Sequence, residues 1–129
     1  MATPENSGGT LDTLVEQARV DAGFEAVLLA DLQGHVLAAA RSDETTPETL
    51  DSLLDLATRL AARPEDRSRL ADTGEITFFD WEGQQVICRW FTARQPPQVH
   101  LLVILAPRGK PHKRAAGHLV REVQRLSGG

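Results

Sequence analysis

The stretch Phe24–Ala40, FEAVLLADLQGHVLAAA, places one tight turn between two apolar runs. It predicts a β-hairpin buried on both faces. Asp31 can open a type I turn by accepting a backbone N–H, and Gly34 supplies the positive φ at which such a loop closes into a bulge. The same Asp-x-x-Gly spacing returns at Asp80-Trp81-Glu82-Gly83, which marks a second turn of the same kind.

Upstream of the hairpin, Leu11, Leu14, Val15 and Ala18 mark the buried face of a first helix that Thr10 can cap. Residues 1–9 are small, polar and rich in Gly and Pro, so a disordered lead-in is expected there, with residues 10–129 forming a single domain. Downstream, Thr45-Thr46-Pro47-Glu48 announces a second helix: Thr accepts free N–H groups, Pro suits the first turn and Glu favours the positive end of the dipole. Pro64 stops it near Arg63. Three strands follow, Glu75 to Asp80, Gln84 to Thr92 and Gln98 to Ala106, and a closing helix starts near Pro111 with Ala115, Leu119, Val123 and Leu126 on its buried face. The order is αββαβββα.

A strand covered on both faces must be apolar at both parities, whereas an edge strand tolerates polar positions. Val27-Leu28-Leu29 and Leu101-Leu102-Val103-Ile104-Leu105 meet the first condition best. With these two strands adjacent at the centre, hairpin connections force a five-stranded antiparallel sheet of order 2-1-5-4-3. Apolar side chains on both faces then require helices on both, so the expected fold is α/β (α+β), a three-layer sandwich.

The second helix carries more apolar surface than its own sheet can use. Leu50, Leu54, Ala57 and Ala61 form one face, while Leu53, Leu56 and Leu60 widen it to an arc of about 160°, against roughly 100° for an ordinary surface helix. Strand 3 adds to this surplus, because Ile76, Thr77, Phe78 and Phe79 sit on an edge without the charges or bulges that normally blunt one. The expectation is a homodimer paired edge to edge through strand 3, burying Leu53, Leu56, Leu60, Ile76, Thr77 and Phe78. The alternative is a covering loop, for which Pro64 to Gly74 is the available segment.

Length and composition bound the function. A chain of 129 residues can bury about two thirds of its unfolded surface without metals or disulfides. The single cysteine, Cys88, lies in an apolar run and reads as a small buried hydrophobe, which fits a reducing, cytoplasmic setting. The first ten residues lack the basic start and apolar core of a leader, and no apolar run reaches membrane-spanning length, so no membrane partner is expected. The net charge is −4, yet from Cys88 onward eight Arg or Lys face Glu122 alone. That basic end is either a solvated face or an anion site around Lys110, Lys113 and Arg114. Nucleic acid is a poor fit, because the cations are not interleaved with aromatics and no nucleic-acid-binding motif is present. His112 and His118 lie about 120° apart on one helix, and His35 and His100 sit on strands away from any ligand cluster. No serine has a nucleophile-elbow context, and Gly109-Lys110 lacks the upstream glycine of a phosphate loop. An enzyme acting alone is not expected, nor is a cofactor or metal.

This order of elements, together with Gly23–Asp31, Gly34–Ala38, the Leu-rich second helix and the closing run from Gly109-Lys110 to Arg125, resembles the Roadblock/dynein light chain family over nearly the whole chain. The run GKPHKRAAGHLVREV looks most like bacterial MglB-type members, which activate a polarity GTPase. The resemblance implies a homodimer or heterodimer with a continuous sheet, acting as an adaptor or regulator of Ras-like small GTPases. Two segments depart from the family pattern: the charged stretch Pro64 to Thr73, and Pro96-Pro97 before strand 5. Candidate partner contacts are Arg63, Arg67 and Arg69, since an arginine placed in a GTPase site stabilises charge on the transferred phosphate, and Trp81, an aromatic at a hairpin tip. The bland readings are a solvated loop for the arginines and a lid over the sheet edge for Trp81. Two other classes stay open: a ligand-sensing domain of the PAS or GAF kind, and a scaffold subunit with no GTPase.

Overall fold

The computed structural model describes residues 5–61, 73–80, 82–93 and 98–127. Its elements are α1 (Glu5–Ala22), β1 (Ala26–Asp31), β2 (Val36–Arg41), α2 (Pro47–Ala61), β3 (Thr73–Phe79), β4 (Gln85–Ala93), β5 (Gln98–Ala106) and α3 (Lys113–Leu126). The five strands form one antiparallel sheet in the order β2-β1-β5-β4-β3, as the two-sided apolar runs require. β1 and β5 pair at the centre with Val27 opposite Ile104 and Leu29 opposite Leu102.

Alternation along the strands sends one set of side chains to each face. Val27, Leu29, Ile87, Phe91, Leu102 and Ile104 pack beneath α1 and α3 with Val15, Leu119 and Val123. Leu28, Val86, Cys88, Trp90, Leu101 and Val103 face the opposite way, towards Ala57 and the leucines of α2. Among the described residues the sheet is therefore the middle of three layers, with two helices on one side and one on the other.

Both Asp-x-x-Gly turns fold alike. Asp31 Oδ1 accepts the N–H groups of Gln33 and His35, each at 2.9 Å, while Gly34 takes φ +87°. Asp80 Oδ1 accepts those of Glu82 and Gln84 at 2.9 and 2.8 Å, and Gly83 takes φ +83°. In each loop the aspartate replaces the missing ladder partners and glycine supplies the left-handed residue. α2 starts as expected, with Thr46 Oγ1 accepting the N–H of Thr49 at 3.2 Å.

Two expectations need correcting. β2 is not buried on both faces: Ala38 and Ala40 are buried, but Val36 is 51% exposed. β2 is an outer strand, and the alanines that read as core in the sequence cost little on a solvated face. The first helix also begins at Glu5, five residues before Thr10, so of the expected lead-in 1–9 only residues 1–4 fall outside the described part. Extending an existing helix fixes one residue for each hydrogen bond gained, which is far easier than starting one.

Burial of the Asp31 carboxyl pushes its pKa up, but the His35 N–H, the His35 ring and the Gln33 N–H together outweigh this and hold it below the ordinary value. A carboxyl lowered by folding stabilises the native state above its unfolded pKa, near 4, and loses that contribution as pH falls through the folded value. Asp31→Ala should therefore cost about 1–2 kcal/mol at pH 7, by analogy with other side-chain caps on free N–H groups. In urea titrations, the stability gap between wild type and Asp31→Ala should narrow steadily below about pH 4.

Candidate interaction surface

α2 is a poorly covered element. Among its apolar residues Ala57 is fully buried, Leu50, Leu53, Leu54 and Leu60 are half-buried, and Leu56 is 38% exposed. Next to it runs β3, whose one ladder partner is β4. Its outer backbone groups face no other strand among the described residues.

Between α2 and β3 lies a groove of about 670 Å³. Leu53 and Leu56 line it from α2, Phe78 and Phe79 from β3, and Val86 and Leu105 form part of its wall. The structure thus brings together Leu53, Leu56 and Phe78. Leu60 and Ile76 pack on the same cluster beside the groove. Thr77 is exposed and, being next to Phe78 along the strand, points to the opposite side of the sheet. Arg63, Arg67, Arg69 and Trp81 lie outside the described residues, as does most of the segment Pro64 to Gly74.

The groove also uses Phe79, which is absent from the interface expected on sequence grounds. It is 59% exposed, and the Arg108 guanidinium stands 5.8 Å from its ring centre, within cation–π range. The available signal is a large aromatic that ends an edge strand just before a turn. The histidines occupy three different settings. His35 is exposed, with its Nδ1 3.0 Å from Asp31 Oδ2. His100 is buried and stacks on Phe91 at 5.5 Å between ring centres. His112 Nε2 lies 3.5 Å from the Glu75 carboxylate and joins the start of α3 to β3.

Among the described residues no group of three or more His, Cys, Asp or Glu is placed to hold a metal. Cys88 is buried, and burial pushes its thiol up to about 12. No helix among the described residues is long and apolar enough to cross a membrane.

The sheet of order 2-1-5-4-3, with α1 and α3 on one face and α2 on the other, gives the chain the fold of solved MglB and Roadblock/LC7 domain structures. No family model and no curated protein matches the chain by sequence. Solved structures match over almost its full length. A structure of MglB in a tetrameric arrangement superposes with a TM-score of 0.72 at 20% identity, covering 99% of this chain and 93% of that one. The gliding protein MglB from Thermus thermophilus gives 0.68 at 18% identity, with 99% and 93% covered. A Roadblock/LC7 domain from Streptomyces avermitilis gives 0.58 at 19%, with 91% of each chain covered. At these identities the likeness is one of fold.

The state of Cys88 is directly testable, because only the thiolate reacts with alkylating agents. The folded protein should resist iodoacetamide at about pH 8 over hours, and a single carbamidomethyl group should be added within minutes once guanidinium unfolds it. Mass spectrometry reads both.

Proposed function

We propose that this chain is a homodimeric regulator of a Ras-like small GTPase, with the two copies paired through β3 and packed through α2. The observation that carries this reading is the apolar groove between Leu53, Leu56 and Phe78, next to a strand whose outer edge is unpaired among the described residues. Among the described residues nothing covers either feature. Pairing β3 with its equivalent would satisfy its free N–H and C=O groups and extend the sheet, while the α2 flanks would shield one another's leucines. Burial of each large apolar side chain contributes roughly 1.5–3 kcal/mol, so a few such residues from each copy can offset the entropy lost on association.

The fold shared with MglB structures supports the regulator class over a sensor domain of the PAS or GAF kind. Helices cover both faces of this sheet, whereas such a sensor keeps one face open around its ligand. The partner surface proposed for the GTPase adds Arg63, Arg67, Arg69 and Trp81 to the exposed Phe79. If one arginine completes the GTPase site, its role is to stabilise charge on the transferred phosphate.

Light scattering behind size-exclusion chromatography should return twice the chain mass at micromolar concentration. Phe78→Lys should return the monomer mass, because a buried unpaired charge would face its symmetry mate. An unchanged mass for the variant would mean that a loop covers the edge. Purified small GTPases loaded with a GTP analogue or with GDP would then be screened against the dimer by interferometry. The expected result is binding selective for one nucleotide state. Changing the arginine finger to Ala should abolish stimulated hydrolysis and leave binding within about threefold; equal stimulation by the Arg63→Ala, Arg67→Ala and Arg69→Ala variants would sink the finger role.

A further inference from the structure

A second concavity lies on the other side of the sheet, between the end of α1 and the start of α3, with a volume of about 500 Å³. Its floor is apolar and made of Ala18, Ala22, Pro111 and Ala115. Its rim is cationic: Lys110 and Arg114 line it together with the imidazoles of His112 and His118. Asp21 is the one carboxylate in the lining, and Gln17 donates to it at 2.9 Å. With neutral imidazoles, two cations against one carboxylate leave the cleft net positive.

Arg19, Arg59 and Arg125 each hold a glutamate or aspartate on their own helix at 2.7–2.9 Å. Lys110 and Arg114 share the lack of an ion pair with Arg41, Arg89, Arg108, Lys113 and Arg121 among the described residues, and what distinguishes Lys110 is its fixed position. Lys110 is held in place by its surroundings. Its N–H donates to the Pro107 carbonyl at 3.1 Å, and its own carbonyl accepts from Nε2 of the buried Gln85 at 3.0 Å. Its Cε and Nζ lie over Gly23, each 2.8 Å from where a β-carbon would stand, and Gly23 has φ +72°. A side chain at position 23 would evict the ammonium group. A lysine whose backbone is anchored twice, packed on a glycine and given no carboxylate is a preorganised donor.

We infer that this cleft binds a small organic anion, a single phosphate or carboxylate group carried on a compact apolar body. The oxyanion would sit between Lys110 and Arg114, where charge-assisted hydrogen bonds to a guanidinium and an ammonium are strongest. The apolar body would lie on Ala18, Ala22, Pro111 and Ala115. The volume matches a small-molecule site with an apolar lining and a few convergent polar groups. The inference is independent of dimerisation and of any GTPase, because neither α2 nor β3 contributes to the lining.

The test is a titration of the uniformly ¹⁵N-labelled full chain with phenyl phosphate at constant ionic strength, followed by amide shifts, with benzoate, phenol and inorganic phosphate run in parallel. Phenyl phosphate or benzoate should produce saturating shifts at Gly23, Lys110 and Ala115, and whichever binds identifies the oxyanion. Phenol and inorganic phosphate, each lacking half of the ligand, should bind roughly tenfold more weakly or worse. Lys110→Gln and Arg114→Gln should each weaken binding by roughly tenfold, while Lys113→Gln, outside the lining, should leave it unchanged. Unmoved Gly34 and Gly83 amides in the variants would confirm an intact fold. Linear, unsaturating shifts for both anions, saturation centred elsewhere, or affinity unchanged in Arg114→Gln would each overturn the assignment.

Discussion

The antiparallel pairing of β1 with β5 is the contact on which the other elements depend. No hairpin joins these strands; they are brought together across the whole sequence between Asp31 and Gln98. Their pairing must therefore be held by burial, and the side chains supply it: Val27, Leu28, Leu29, Leu101, Leu102, Val103 and Ile104 are all at most 2% exposed. Once this pair exists, the two Asp-x-x-Gly hairpins and the β4–β5 connection add neighbours at low entropic cost, β2 outside β1, β4 outside β5 and β3 outside β4. A pair buried on both faces also dictates the layers, since each face must be roofed by something apolar.

The roofing is unequal, and the functional reading follows from the inequality. Two helices lie over one face, and α1 and α3 close it well enough that its core residues are almost all inaccessible. Among the described residues α2 alone spans the other, and Ala57 is its one fully buried residue. Among the described residues, the centre of this face is as buried as that of the other, and the less covered part is the β3 side, where Ile76 and Phe78 are only half-buried. Leucines that exceed what a lone helix needs are thus found beside the strand whose edge has no partner among the described residues. Excess apolar surface and, among the described residues, unpaired backbone groups occur at one place and are complementary demands, which is why the proposed partner is a second copy of the same surface.

What is legible in the sequence is what is decided locally or by two-sided burial. Asp31 and Asp80 announce their turns because the chemistry lies within a few residues of each. The central pair can be read because a strand apolar at both parities has few other places to go. β2 misleads because alanine is ambiguous: Ala39 faces outward and Ala40 inward with no difference in residue type to distinguish them. The start of α1 is hidden because Gly8 and Gly9 signal a break that elongation overrides. The α1–α3 cleft is half legible. The cations at the start of α3 stand out in the sequence, but the apolar floor from α1 and the packing of Lys110 on Gly23 exist only in three dimensions.

The two concave surfaces lie on opposite sides of the sheet, yet the same strand end positions both. Leu105 faces α2 and lines the groove, while its carbonyl accepts the N–H of Glu25 at 2.8 Å and fixes the entry into β1. Ala106, its neighbour, turns to the α1–α3 side. The chain then runs through Pro107 to Lys110, where Gln85 of the adjacent strand clamps both the Pro107 and Lys110 carbonyls at 3.0 Å. Gln85 is opposite Ala106 in the ladder, so the register of β4 against β5 sets where the loop leaves the sheet. A slip of one residue would reverse every side chain in the strand. It would empty the groove of Leu105 and withdraw Lys110 from Gly23 together. A fold held to this register therefore preserves two scaffolds at once, and the residues mounted on each remain free to define the partner.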